Sequence, residues 1–384
     1  MSVPMSDLRS EYYSLKEEID GAIQRVIESG NFVMGEELEA FEEEFALYCG
    51  ARYAVGVGSG TAALHLALLA CGIGPGDEVI TVPNTDIPTT MTITHCGATI
   101  VWVDVDRRSF NIDPGKIEGK ITERTKAILP VHLFGHPADM DPIIEIARRH
   151  DLLVIEDAAL AVGAEYKHRK VGAIGDVGCF SLAPTKILGA YGDAGIIVTN
   201  QQKTADRIKV LRNYGHGLEM EENAESILGV RMWELVAEGF NERLDALQAA
   251  ILRAKLPTLE ERITQRREAA HKYNELLAGA DLVTPHEADD VKHVYRAYII
   301  LVDNRDQVRG YLASKEIATR IYYIPPLHLQ PAYEYLGFRP GGFPVAEETA
   351  AKMLSLPIFP EITDEQIAEV VSALEDCISF ADCS

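Results

Sequence analysis

The sequence predicts an α/β protein: a mainly parallel, mixed sheet covered by helices, followed by a smaller α+β unit. Three observations carry this. Short apolar runs alternate with helical runs through the first half of the chain, the pattern of a parallel sheet buried on both faces. The alternation stops after Thr199, where charged helices take over. The length of 384 residues exceeds the roughly 250–300 at which a single hydrophobic core stops growing.

Each element can be justified in turn. Leu15, Ile19, Ile23, Val26 and Ile27 recur at helical spacing until Ser29-Gly30, and a second amphipathic helix runs from Glu36 to Cys49 before Gly50. The strand candidates are YAVGVG, EVITVP, TIVWVD, KAILPVHLF, LLVIED, VGCFSL and GIIVTN, with helices at Gly60–Ala70, Ile87–Cys96 and Ile143–Arg149 between several of them. Beyond Thr199 come helices at Thr204–Arg212 and Leu244–Leu277, the latter interrupted at Pro257. Alternating strands YRAYIILVD and RIYYI follow, then a closing helix at Asp364–Cys377. The boundary falls within the Leu244–Leu277 stretch. Residues 1–250 form the large domain, with an N-terminal arm at 1–14, and residues 251–384 the small one.

Composition excludes several function classes. With 36 Lys+Arg against 59 Asp+Glu the net charge is −23, which argues against a surface for polymeric nucleic acid or an anionic membrane. A single nucleotide is not excluded, because it needs only a few donors. The N-terminal segment is polar and acidic, unlike a signal peptide, and runs such as AALHLALLA are too short to span a bilayer. The cysteines Cys49, Cys71, Cys96, Cys179, Cys377 and Cys383 form no CxxC pair. They read as reduced thiols of a soluble, cytoplasmic protein. His132 and His136 are four apart, but at a strand end before Pro137, so no metal site is expected. No GxSxG elbow marks a hydrolase.

In open parallel sheets ligands bind beyond the carboxyl ends of the strands. After YAVGV comes Gly58-Ser59-Gly60-Thr61, feeding a helix. That turn is either a simple N-cap or an anion site built from free amides and the helix dipole. LLVIED ends in Glu156 and Asp157, each either a solvated acid or a ligand-facing one. The segment CFSLAPTKILGAYGDAG sets Ser181 and Lys186 in a Pro/Gly-framed loop between two apolar strands. A lysine held there loses hydration, which favours the neutral amine that Schiff-base chemistry requires. An anion site, a strand-end acid and a desolvated lysine together fit one cofactor, pyridoxal phosphate. Its phosphate needs a helix end, its aldehyde an amine, and its ring nitrogen a carboxylate.

With those residues in place, the sequence resembles the DegT/DnrJ/StrS-type aminotransferases over nearly its whole length. The resemblance rests on the order of SGNFVMGEELEAFEEEFA, VGSGTAALHLAL, GIGPGDEVI, LPVHLFGHPADMD, VIEDAA, GDVGCFSLAPTK, LGAYGDAG, LRNYGHG, FNERLDALQAA, PPLHLQPAY and LSLPIFP. It implies an aspartate-aminotransferase-like fold of type I and a homodimer with shared active sites. It also implies amino transfer, from L-glutamate, to a nucleotide-linked keto sugar. By position, Lys186 would form the internal aldimine and move protons, and Asp157 would hold the ring nitrogen. Ser59, Gly60, Thr61 and Ser181 would hold the phosphate, and Asn241 would reach it from the neighbouring subunit. His328, Arg243 and Tyr323 would face substrate, with Arg320 a further donor; His328 reads equally as a structural loop histidine. Two positions depart from the family pattern. Leu160 stands where a glutamine usually contacts the ring oxygen. Asp86 stands where an aromatic residue usually stacks on the ring, although a one-residue slip would put Ile87 there. These departures either are tolerated drift or mark a different substrate or reaction, such as a non-nucleotide ketone, a cyclitol or an elimination. A cofactor-binding regulator without turnover is the non-enzyme alternative. Because Lys186 is retained, transamination is favoured over dehydration.

Overall fold

A computed structural model describes residues 2–217 and 235–381; Cys383 lies outside the described residues. The chain opens with α1 (Leu8–Ser14) and α2 (Lys16–Ser29), then α3 (Glu36–Cys49). Gly30 and Gly50 close α2 and α3 at φ of +67° and +70°, the left-handed cap that glycine adopts without a Cβ clash. The stripe on α2 is narrower than its sequence suggested: Ile19 and Val26 are buried, whereas Ile27 is exposed.

The central sheet is built from β1 (Tyr53–Val57), β2 (Glu78–Thr81), β3 (Thr99–Trp102), β4 (Thr125–Ile128) and β5 (Leu153–Asp157). After the ribbon strands β6 (Glu165–Tyr166) and β7 (Arg169–Lys170) come β8 (Val177–Ser181) and β9 (Gly195–Thr199). The seven sheet strands run in the order β1-β9-β8-β5-β4-β2-β3. Pairing is parallel from β8 through β5, β4 and β2 to β3, and antiparallel where β9 meets β8 and β1. Because β9 alone runs backwards, the carboxyl ends of β1, β2, β5 and β8 share one edge, and the β8–β9 reversal lies on that same edge. Helices α4 (Gly60–Ala70), α5 (Ile87–His95), α6 (Met140–Arg149) and α7 (Gln202–Arg212) connect the strands.

A buried ion pair fixes the β1 edge. Glu42 of α3 pairs with Arg212 of α7 and accepts the Gly56 amide at 2.8 Å. Arg212 donates to the Gly56 carbonyl at 2.7 Å, so each charge is hydrogen-bonded as burial requires. Glu156 is handled similarly. Fully buried, it accepts the amides of Gly172, Ile174 and Gly175 and meets His132 Nε2 at 2.9 Å. His132 and Glu156 are therefore structural partners. Among the described residues no group of three or more His, Cys, Asp or Glu is placed to hold a metal ion.

The second half contains α8 (Ala246–Lys255), a short 3₁₀ turn through Pro257 and α9 (Leu259–Leu276). The long helical stretch thus breaks where the proline removes an amide. Strand β10 (Val291–Lys292) pairs back onto β6. β11 (Tyr298–Leu301) pairs with β12 (Met353–Leu356), flanked by α10 (Arg305–Ser314), α11 (Pro344–Lys352) and α12 (Asp364–Ala381). Tyr273, Tyr298, Leu312, Val370 and Leu374 fill the core of this part, and Val3 from the chain's beginning packs into it.

Two strand expectations are corrected. KAILPVHLF forms a strand only over Thr125–Ile128, since Pro130 ends the ladder and a 3₁₀ turn follows at Leu133–Gly135. RIYYI is not a strand: Arg320 makes a single bridge to Ser355, and the chain then runs into Pro325-Pro326, which offer no amides for pairing. Among the described residues no helix is long and apolar enough to cross a membrane.

Candidate active site

Four strand ends converge on a cavity of about 170 Å³. From β1 comes the start of α4. Ser59 caps it, its hydroxyl accepting the Ala62 amide at 3.0 Å and its carbonyl the Ala63 amide at 2.9 Å. The amides of Gly60 and Thr61 remain open, at the positive end of the helix dipole. Gly60 is required by packing, because a Cβ there would lie 2.5 Å from the Cβ of Ser181. The two loops therefore close to backbone distance and bring the Ser181 hydroxyl beside the open amides. An N-cap and an anion cradle are both present, so the two sequence readings of this turn are compatible.

From β5 comes Asp157, only 4% exposed. Its Oδ2 accepts the Thr89 hydroxyl at 2.7 Å and its Oδ1 the Ala159 amide at 3.1 Å. Thr85 and Thr89 hydroxyls lie 2.9 Å apart; with the Thr89 proton committed to Asp157, Thr85 is the donor between them. Burial pushes the Asp157 pKa above the usual carboxylate value, opposed by these two hydrogen bonds and the charges of Lys186 and His132. A carboxylate accepts about four hydrogen bonds, so capacity remains for a cationic partner.

The β8–β9 reversal supplies Lys186. Its loop is fixed from behind by Lys255, which is 2% exposed, donates to the Gly189 carbonyl at 2.7 Å and pairs with Glu11 of α1 at 3.0 Å. Lys186 Nζ makes no hydrogen bond or ion pair among the described residues. Burial first, then the nearby Arg296 guanidinium, lowers its pKa to about 8, against the opposing pull of Asp157 and Asp86.

Asp86 caps α5, its Oδ1 accepting the Ile87 amide at 2.8 Å. It lines the cavity and Ile87 does not, which favours the first of the two registers. A second cavity of about 160 Å³ adjoins the first and shares Asp86, Leu160, Lys186 and Tyr323 with it. Tyr323 stacks on Phe134 with a 6° interplanar angle, and burial raises its phenol pKa.

Not every expected residue arrives. His328 is 1% exposed, donates from Nε2 to the Glu347 carboxylate at 3.0 Å and packs edge-on against Trp102 and Phe343. It lines neither of these two cavities within one chain. Arg243 stacks over Tyr214 and reaches Asn213 at 3.4 Å, outside both cavities within one chain. Asn241 pairs with Asn213 by an isolated bridge and is exposed. The sequence reading missed Thr89 and Arg296. Thr89 carries no motif of its own, and only its position three residues after the α5 cap could have flagged it.

A family model described as the DegT/DnrJ/EryC1/StrS aminotransferase family matches residues 13–375. The chain belongs to this family. It is 44% identical over 98% of its length, and 98% of the relative's, to a pleiotropic regulatory protein of Geobacillus stearothermophilus. It is 42% identical to the dTDP-3-amino-3,4,6-trideoxy-alpha-D-glucose transaminase of Streptomyces venezuelae, over 97% of this chain and 96% of that one. The crystal structure of S. venezuelae DesV superposes with a TM-score of 0.92 at 41% identity, covering 98% of both chains. As a family member the protein is a pyridoxal-phosphate-dependent aminotransferase with that fold.

The residues present fit the cofactor. The cavity offers open amides and a hydroxyl for a phosphate, a buried carboxylate with acceptor capacity, and an unpartnered amine between them. Leu160 gives an apolar wall where the family resemblance implied a glutamine.

Proposed function

We propose that the protein moves an amino group from L-glutamate to the keto carbon of a nucleotide-linked sugar. The observation that carries this reading is the unpartnered Lys186 amine, held in one cavity with Asp157 and the open end of α4. Pyridoxal phosphate, when bound, supplies an aldehyde to hold the amino group and a ring that accepts electrons. The chain does the rest. Gly60, Thr61 and Ser181 bind the phosphate by amide and hydroxyl donation, and Asp157 keeps the ring nitrogen protonated. Lys186 Nζ anchors the cofactor and carries the proton that must leave one carbon and reach another. The buried α4 end and the apolar Leu160 exclude water.

Asn241 from a second copy of the chain completes the phosphate site in this reading, which makes the working unit a homodimer. Residues 1–250 act as the cofactor domain and 251–384 as the small domain closing over it. Five described cysteines are free thiols, in keeping with a cytoplasmic enzyme. Relatives acting on dTDP- and UDP-linked sugars support the acceptor class.

The test is an acceptor panel with L-glutamate as donor, read by 2-oxoglutarate release. The expected result is turnover with dTDP- or UDP-linked keto sugars at a kcat/KM at least about 10²-fold above free keto sugars or cyclitol ketones. A preference for the non-nucleotide ketones would overturn the acceptor class and favour the alternative raised by Leu160 and Asp86.

A further inference from the structure

Lys255 places a charge where packing does not ask for one. It is 2% exposed, on a face of α8 that is otherwise apolar, with Ala249, Ile251 and Leu252 buried beside it. A methionine or leucine there would fill the space without desolvating an ammonium. Nor does its ion pair explain it, since buried pairs are often no more stabilising than apolar residues of like volume. The contacts of the ammonium point elsewhere. It donates to the Gly189 carbonyl at 2.7 Å, pairs with Glu11 at 3.0 Å and lies 4.4 Å from the centre of the Tyr191 ring. Gly189 and Tyr191 stand three and five residues after Lys186.

The loop between them has little slack. The Lys186 amide donates to the Ala183 carbonyl at 2.9 Å and the Ala190 amide to the Leu182 carbonyl at 2.8 Å. A Cβ on Gly189 would lie 2.5 Å from the Pro184 oxygen. A hold on the Gly189 carbonyl is therefore a hold on the backbone that carries Lys186.

Glu11 is anchored in turn. Asp7 caps α1 by accepting the Arg9 and Ser10 amides, and Arg262 of α9 meets the other Glu11 oxygen at 3.4 Å. Upstream, Val3 is fully buried. Its amide donates to the Glu316 carbonyl at 3.1 Å, and its carbonyl accepts the Ala318 amide at 2.9 Å. The segment that follows Ala318 delivers Arg320, Tyr322 and Tyr323 to the second cavity, which Lys186 also lines. The start of the chain thus grips two segments of that cavity's lining from outside, one through Val3 and the other through Glu11 and Lys255.

We propose that Glu11 and Lys255 are positioning residues for amino transfer. Through the Gly189 carbonyl they fix where the Lys186 amine stands, and residues 3–11 tie that position to the segment bearing Arg320 and Tyr323. Neither residue lines either cavity, so both act through the loop. The inference rests on Lys186 being the working amine of the reading above.

The double variant Lys255→Met with Glu11→Gln separates positioning from packing. Both charges leave together and Arg262 keeps Glu361 at 2.8 Å, so the melting temperature of the holoenzyme should stay within a few degrees of the natural protein. Backbone amide exchange over residues 182–192 is expected to speed up about tenfold or more. With L-glutamate as donor, kcat should fall about 10- to 100-fold while KM stays within about twofold. Lys255→Arg, which still offers donors to the Gly189 carbonyl, should recover part of kcat. Glu11→Gln alone leaves Lys255 on Gly189 with weaker support. It should show faster exchange and a kcat loss of about threefold, and it provides the test if the double variant does not fold.

Natural exchange and natural kcat in the double variant would overturn the proposal and leave the pair a packing device. So would a kcat loss that follows the melting temperature and vanishes when rates are compared per folded molecule. Borohydride reduction of the natural holoenzyme that fixes no cofactor on Lys186 would instead sink the Lys186 reading, and amide exchange would still decide whether the pair holds the loop.

Discussion

Replacing Lys186 with alanine is expected to lower amino transfer by about 10⁴-fold, the upper end of what a positioned proton carrier contributes, while the melting temperature of the cofactor-free protein stays the same or rises. The sign of the stability change follows from the pKa. Burial and Arg296 push Lys186 down to about 8, so at neutral pH the folded state carries a cation that its surroundings disfavour. Alanine removes that cost. The same shift sets a pH dependence in the unmodified protein. At pH 7 an amine with a pKa of about 8 is neutral about a tenth of the time, roughly 300-fold more than a lysine at its ordinary value of about 10.5. Covalent cofactor loading should therefore climb with pH and level off just above 8. A loading rate still rising steadily towards pH 10 would mean that Lys186 is an ordinary, solvated lysine. Amino transfer by the alanine variant within tenfold of the natural protein would remove Lys186 from the chemistry.

Replacing Asp157 with asparagine should cost about 10²- to 10⁴-fold in amino transfer. Breaking a buried charge pair by removing one partner costs about 3–5 kcal/mol, and each 1.36 kcal/mol is tenfold in rate. Asparagine keeps the volume and can still accept the Thr89 hydroxyl, so the cavity should hold its shape. What it loses is the negative charge that keeps a ring nitrogen protonated. Stability should not fall, since the carboxylate's raised pKa marks its ionised form as disfavoured by burial. Parallel measurement of rate and thermal midpoint separates the two effects. A slow but stable variant supports an electrostatic role, whereas a variant equally slow and unstable would point to a role in packing.

The strand ends that build the site were legible because their physics is local. An apolar run that stops at a polar residue marks where a buried strand meets its ligand edge, and Asp157, Ser181 and the Ser59-Gly60-Thr61 turn were all read that way. Lys186 was legible from its frame of Pro184 and Gly189 between two buried strands. Arg296 was not, because nothing in VYRAY says that folding brings it beside Lys186. RIYYI alternates like a strand, but the pairing edge it needs is reached only at Arg320, and the two tyrosines turn to the cavities instead. The two readings of His328 stayed equal in the sequence because Trp102, which buries it together with Phe343, is distant in the chain and only packing brings them together. Asn241 belongs to a different class, since its expected contact is with another copy of the chain.

The most direct test follows the amino group itself. Purified holoenzyme is incubated with ¹⁵N-labelled L-glutamate and a dTDP- or UDP-linked keto sugar, and products are analysed by mass spectrometry. The label is expected on the sugar, with one 2-oxoglutarate formed for each amino sugar. Label released as free ammonia, or 2-oxoglutarate formed without a labelled sugar from any nucleotide-linked acceptor, would contradict it.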